Sequence, residues 1–134
     1  MAPDLTDGII QRVSRWPFAQ TLESIAKAII DAKMTIFARI DHATGARELG
    51  ISIPETTVLI YGNARVGTPA LIDSPVAALE LPLRVLLREE HGQVIVAFHP
   101  IAALLVKAGV SNALAEKLTP GQRIVLKALD FEEQ

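Results

Sequence analysis

The sequence predicts one α/β (α+β) domain: a mixed sheet of about five strands with helices packed on it, in the order β-α-β-α-β-β-β-α-α. Three observations carry this expectation. Several short segments alternate apolar and polar residues or are continuously apolar, as strands are, and apolar residues recur at helical spacing between them. The chain has 134 residues, which is enough for one core and too short for two, so residues 1–134 are taken as a single domain.

Residues 8–13 place Ile9 and Val13 on one face and Ile10 and Arg12 on the other, which predicts a first strand. Phe18, Leu22, Ile25 and Ile29 then trace one helical stripe that Pro17 can start. Residues 34–40 are rich in strand formers, and Asp41 can cap a short helix that Gly50 ends. Thr56 to Tyr61 contains Val58-Leu59-Ile60 and reads as a central strand covered on both faces. Residues 62–75 hold Gly62, Asn63, Gly67, Pro69 and Pro75, and so predict a loop with at most one helical turn. Residues 83–89 and 93–98 flank Glu90-His91-Gly92 as a hairpin, with Pro82 at or before its first strand. Pro100 opens a helix that Gly109 ends, and Ser111 begins a helical region over 111–129, interrupted at Thr119-Pro120-Gly121. The stretch 130–134 is acidic and expected to fray. Helices between the early strands suggest parallel crossovers.

Composition narrows the function classes. Half the residues are hydrophobic and 21% are charged, which supports a packed core rather than disorder. Aromatic residues make up only 4%, and 13 basic residues face 15 acidic ones in no long run of either sign. Both argue against nucleic acid as a partner, since stacking rings and a basic footprint are missing. With no cysteine there are no disulfides, thiolate nucleophiles or cysteine-bound metals. Neither a secretory leader nor an apolar run of membrane-spanning length is present, so a cytoplasmic protein without membrane contact is expected.

The stretch Gly62-Asn63-Ala64-Arg65-Val66-Gly67-Thr68-Pro69 follows an apolar strand. Loops at the carboxyl ends of buried strands bind ligands in α/β sheets, and glycines let backbone N–H groups converge on an anion. Thr68 can cap the following turn with Pro69 at its first position, leaving N–H groups aimed outward. The spacing imitates a phosphate-binding P-loop but lacks the lysine before the threonine, which rejects a nucleotide triphosphatase. The glycines can equally serve only to shape a tight loop.

Arg39, Asp41 and His42 sit where a strand hands over to a helix, with Arg47 one turn on. They form a second candidate wall. Asp41 reads as a helix cap, and His42 either as a structural polar residue or as the candidate general base. His91 and His99 read as turn and strand-end residues. No spacing supports a metal site, no cofactor is implied, and no G-x-S-x-G elbow surrounds a serine.

Phe37-Ala38-Arg39-Ile40-Asp41-His42, Leu59-Ile60-Tyr61-Gly62-Asn63, Gly67-Thr68-Pro69 and Ala77-Ala78-Leu79-Glu80-Leu81-Pro82-Leu83-Arg84 together resemble the family called domain of unknown function 302. The resemblance covers about residues 9–110. It implies a compact α/β domain, often homodimeric, with no agreed catalytic residues. Glu80 stands where the family usually has Asp, and Phe98-His99-Pro100 where it usually has Tyr-Asn-Asp before a proline.

The expectation for function is a module, forming a homodimer, that binds a small anionic or polar ligand through Arg39, Asp41, His42, Gly62, Asn63, Gly67, Thr68 and Glu80. The rivals are an enzyme using His42 as general base, and an assembly domain whose apolar helices, 101–106 and 114–129, form the dimer face.

Overall fold

The computed structural model of the chain describes residues 8–129; the expectation that the acidic stretch 130–134 frays lies outside them. Five strands, β1 (Ile10–Ser14), β2 (Thr35–Asp41), β3 (Thr56–Gly62), β4 (Leu83–Glu90) and β5 (Gln93–Phe98), form one sheet in the order β1-β5-β4-β3-β2. Every neighbouring pair is antiparallel. The number of strands and their helical cover are as expected; the parallel crossovers are not. β1 and β2 do run the same way, but they occupy opposite edges, so α1 (Phe18–Asp31) spans the sheet instead of joining neighbours. Between β2 and β3 lies only α2 (His42–Glu48). Its seven residues rise about 10 Å, roughly half the length of β2, and residues 49–55 then lead directly into β3 instead of crossing back to the start of β2. β3 therefore folds straight back along β2.

The short elements follow local chemistry. Asp41 caps α2 by accepting from the Thr44 N–H at 2.9 Å, and Gly50 takes φ +79° just beyond the helix, a conformation that costs an L side chain. The β4–β5 turn has positive φ at both His91 and Gly92, the combination that matches the twist of a tight hairpin. Pro82 stands just before β4, as expected.

The segment after β3 departs from its reading as a loop. It forms a ten-residue helix, α3 (Ala64–Asp73), with Pro69 in its interior, followed by a 3-10 turn (Pro75–Leu79). Asn63, not Thr68, is the cap, accepting from the Arg65 N–H at 2.9 Å. Neither Gly62 nor Gly67 has positive φ. The closing helices α4 (Ile101–Lys107), α5 (Asn112–Glu116) and α6 (Thr119–Leu129) follow. Thr119-Pro120-Gly121 begins α6 rather than breaking a helix, since Pro120 sits in a first turn where its missing N–H is harmless.

Opposed residues on paired strands share a face. Leu59, Tyr61, Leu83, Val85, Leu87, Val96 and Phe98 point to one face and join Ile25, Ile29, Ile101, Leu105, Ala115, Val125 and Leu129 of the helices, and Leu118 of the turn before α6, in one core. Each such aliphatic side chain contributes about 1.5–3 kcal/mol on burial. The apolar helical positions expected to form a dimer face are thus largely consumed by the protein's own core. Val58, Ile60, Leu86 and Ile95 point to the other face and lie outside that core, only partly buried. β3 is an interior strand, but only one of its faces is packed against the core.

Candidate functional site

A cavity of about 350 Å³ lies where β3 ends, β4 begins and β2 begins. Met34 and Phe37 line one side; Val66, Gly67, Thr68 and Leu71 of α3 form another; Lys117, Pro120, Gly121 and Ile124 close it from the C-terminal helices. Its wall is mainly apolar. Polar groups come from Asn63, Thr68 and Lys117, and Lys117 is the one charged side chain lining it among the described residues.

Close backbone approach shapes this chamber. A Cβ added at Gly121 would stand 2.8 Å from Leu83 Cδ1 and 3.3 Å from Met34 Sδ, so a side chain there would make those side chains shift, and glycine lets α6 lie close on the sheet as they stand. The Tyr61 hydroxyl donates to the Gly121 backbone oxygen at 3.0 Å and fixes that approach. Burial pushes the Tyr61 hydroxyl well above the usual phenolic pKa. Gln122, the next residue, is buried. Its side-chain oxygen accepts from the Ile101 N–H at 3.0 Å and its nitrogen donates to the His99 carbonyl at 2.8 Å, so α6 is also fastened to the β5–α4 corner.

Of the residues expected to form a site, Gly62, Asn63, Gly67 and Thr68 all line this cavity. Arg39, Asp41 and His42 do not. Thr35 pairs with Gly62 and Asp41 pairs with Thr57, so the corner lies at the far end of β2, about 20 Å away along the strand. The expected pocket between loop and corner is not formed; it required parallel strands. Arg39 instead pairs with Glu23 of α1 at 3.1 Å. The Asp41 carboxyl accepts from the Thr44 N–H and hydroxyl, both at 2.9 Å, and these bonds hold its pKa below the ordinary value. His42 is exposed on α2, and none of the described residues hydrogen-bonds its side chain, so no orienter is assembled for a general base there. Glu80 lines a different cavity.

The anion cradle expected of the glycine loop is also closed. Arg65 N–H is taken by the Asn63 side chain, and the Val66 and Gly67 N–H groups by the Asn63 carbonyl. Among the described residues no cluster of three metal-ligating side chains exists. Sequence reasoning missed α3 because Gly67 and Pro69 masked it. The signal was present: Asn63 as a cap, with Val66 and Ala70 four residues apart. The roles of Lys117, Gly121 and Gln122 depend on the long-range docking of α6 and had no local signature.

The chain matches the family described as Domain of unknown function DUF302 over residues 10–130. It belongs to the DUF302 family. A crystal structure of an uncharacterized conserved DUF302 protein from Bacillus stearothermophilus superposes with a TM-score of 0.79, covering 92% of this chain and 96% of that one at 14% identity, which shows a shared fold. Two curated relatives are 36% identical over 90 residues, 67% of this chain: Fluoride-specific ion channel FluC 1 of Brucella suis biovar 1 (strain 1330) and FluC 1 of Brucella abortus biovar 1 (strain 9-941). The match covers 35% and 33% of those proteins, so the chain corresponds to about a third of each. Among its described residues no helix is long and apolar enough to cross a membrane. The function of the DUF302 family is unknown.

Proposed function

We propose that this DUF302 chain is a small-ligand binding module whose ligand has an apolar body and one polar or anionic end, held in the cavity between β3, α3 and α6. The supporting observation is the cavity itself: its about 350 Å³ falls in the range of small-molecule sites, about 300–1,000 Å³, which are apolar with a few placed polar groups. Lys117 and Thr68 supply the polar end, while Phe37, Leu71 and Ile124 contact the body. The reading changes the walls expected from sequence, replacing the Arg39–His42 corner with α6.

Calorimetric titration with octanoate and octanol tests it, with fluoride, the ion named for the Brucella relatives, as an inorganic comparison. Octanoate is expected to bind more tightly than octanol, and Lys117→Gln to remove the difference. Gly67→Phe is expected to abolish both while the domain stays folded, because Gly67 has ordinary φ and a Cβ there meets only Leu81 Cδ1, at 3.7 Å. Unchanged binding in folded Gly67→Phe would refute the site. In the Brucella proteins, a third of whose length it matches, we read the corresponding segment as an accessory module. The absence of cysteine favours a cytoplasmic setting.

A second reading concerns assembly. The partly buried face of Val58, Ile60, Leu86 and Ile95, together with Ile40 at 39% exposure and Val13 at 57%, favours a homodimer joined sheet to sheet. Light scattering checks it: Leu86→Lys is expected to convert a dimer to a monomer, and a wild-type mass near 14.5 kDa at high concentration would exclude it.

A further inference from the structure

Met34 stands just before β2, and with no cysteine in the chain it is the only sulfur-bearing side chain among the described residues. It is partly exposed and lines the cavity between β3, α3 and α6, as do Thr68, Lys117 and Pro120. Those three are exposed, so the cavity opens to solvent and admits a molecule as small as a peroxide. The sulfur also bears on the docking of α6. A Cβ at Gly121 would lie 3.3 Å from Met34 Sδ and 4.0 Å from its Cε, so the thioether occupies part of the space that the glycine leaves. The backbone does not carry it away. Met34 N–H donates to the Ile29 carbonyl at 3.1 Å, and Thr35, the next residue, pairs with Gly62. One thioether thus belongs to two surfaces, the apolar wall of the cavity and the seat of α6.

We propose that Met34 is a redox-sensitive modification site, whose oxidation to the sulfoxide by a peroxide loosens α6 and weakens the binding of apolar ligands in the cavity. A sulfur lone pair attacks one peroxide oxygen, and the S–O bond forms as the O–O bond breaks. The proton of the transferred oxygen passes to the departing one, which leaves as water or an alcohol; sulfur loses two electrons and the peroxide gains them. The product is a polar side chain in an apolar wall. Turned toward Gly121, the new oxygen meets backbone in a space already filled; turned into the cavity, it is an acceptor among apolar groups. Turned to solvent, it draws the thioether out of the wall. Each orientation weakens the same two contacts. The change is reversible, since two thiols of a methionine sulfoxide reductase remove the oxygen as water and end as a disulfide. No cysteine of the chain itself competes for the peroxide. The ligand half of this inference rests on reading the cavity as a ligand site; the stability half does not.

Treatment of the full chain with hydrogen peroxide, followed by peptide mass spectrometry, thermal melting and octanoate titration, tests the proposal. Met34 sulfoxide is expected to form in the folded protein at peroxide concentrations that oxidise N-acetylmethionine. The melting temperature is expected to fall by about 5 °C and octanoate to bind about tenfold more weakly. Methionine sulfoxide reductase with a dithiol should reverse both. Met34→Leu keeps Met1 and every other oxidisable group, and its melting and octanoate affinity, whatever their starting values, are expected to be the same before and after peroxide. Met34→Gln, permanently polar at similar length, is expected to melt as the oxidised wild type does. Resistance of Met34 to peroxide while the fold persists, complete sulfoxide formation with unchanged melting, or an equal loss in Met34→Leu would overturn the proposal. So would an octanoate affinity untouched by oxidation. If the untreated protein binds no octanoate, the reading of the cavity as a ligand site fails by itself, and the melting comparison still decides whether Met34 is the sensitive site.

Discussion

The Tyr61 hydroxyl on β3 donates to the Gly121 carbonyl on α6 across 3.0 Å, sixty positions along the chain. Tyr61 is the only tyrosine and its side chain is fully buried, so one bond reports on whether α6 is docked. Tyr61→Phe leaves the carbonyl without this donor and is expected to cost about 1 kcal/mol, measured by urea denaturation. The folded pKa lies above the unfolded value of about 10, so this contribution is complete below pH 10. It declines as pH rises above that, because the unfolded chain loses the proton more readily. Phenolate absorbance is expected to appear together with unfolding; a tyrosine that ionises while the fold persists would contradict the docking.

Gly121→Ala sets two effects against each other. Alanine gains up to about 1 kcal/mol of helix propensity over glycine, but its Cβ meets Leu83 Cδ1 at 2.8 Å, and overpacking costs about 1–3 kcal/mol. The single variant is expected to be destabilised. In a Leu83→Val background the clashing atom is gone, so adding Gly121→Ala should become neutral or favourable, a non-additivity that a double-mutant cycle reads directly.

Gln122→Glu keeps an acceptor for the Ile101 N–H and loses the donor to the His99 carbonyl. A buried polar group left unpaired costs about 1–3 kcal/mol, and a buried carboxylate adds to that. The variant is expected to be less stable than wild type at neutral pH and to recover part of the loss on acidification, when a protonated carboxyl can donate again. Equal stability across pH would show that the amide does not fasten α6.

Asp41 supplies a pH dependence of opposite sign to that of Tyr61. Its pKa is depressed by the Thr44 backbone and hydroxyl bonds, so its contribution is present above the unfolded carboxylate value and lost as pH falls through the lower folded one. Asp41→Ala is expected to melt below wild type at neutral pH, with the gap narrowing in acid. Carbon-detected titration of the Asp41 carboxyl checks the direction.

The elements that local chemistry decides were legible in the sequence. The stripe from Phe18 to Ile29 and the Asp41 cap identified α1 and α2, and Glu90-His91-Gly92 identified the hairpin, because each rests on residues within a few positions of one another. Strand direction was not legible. It depends on whether 42–55 carries the chain back along the sheet, a matter of helix length against strand length. That single difference moved Arg39, Asp41 and His42 to the opposite end of the sheet from Gly62. Glycines kept their place in the cavity for a reason other than the one expected: Gly67 leaves space within a helix, and Gly121, which no local pattern marks, lets α6 approach Leu83.

The position of β1 has a kinetic meaning. It is the first strand of the described residues, yet its partner is β5, with Ile10 opposite Phe98. During synthesis it must wait until Phe98 has emerged before the pairing is complete, whereas β3, β4 and β5 find neighbours within shorter reach. Closing so wide a loop is entropically slow, so β1 is the strand placed to join last, completing a meander already formed by the other four.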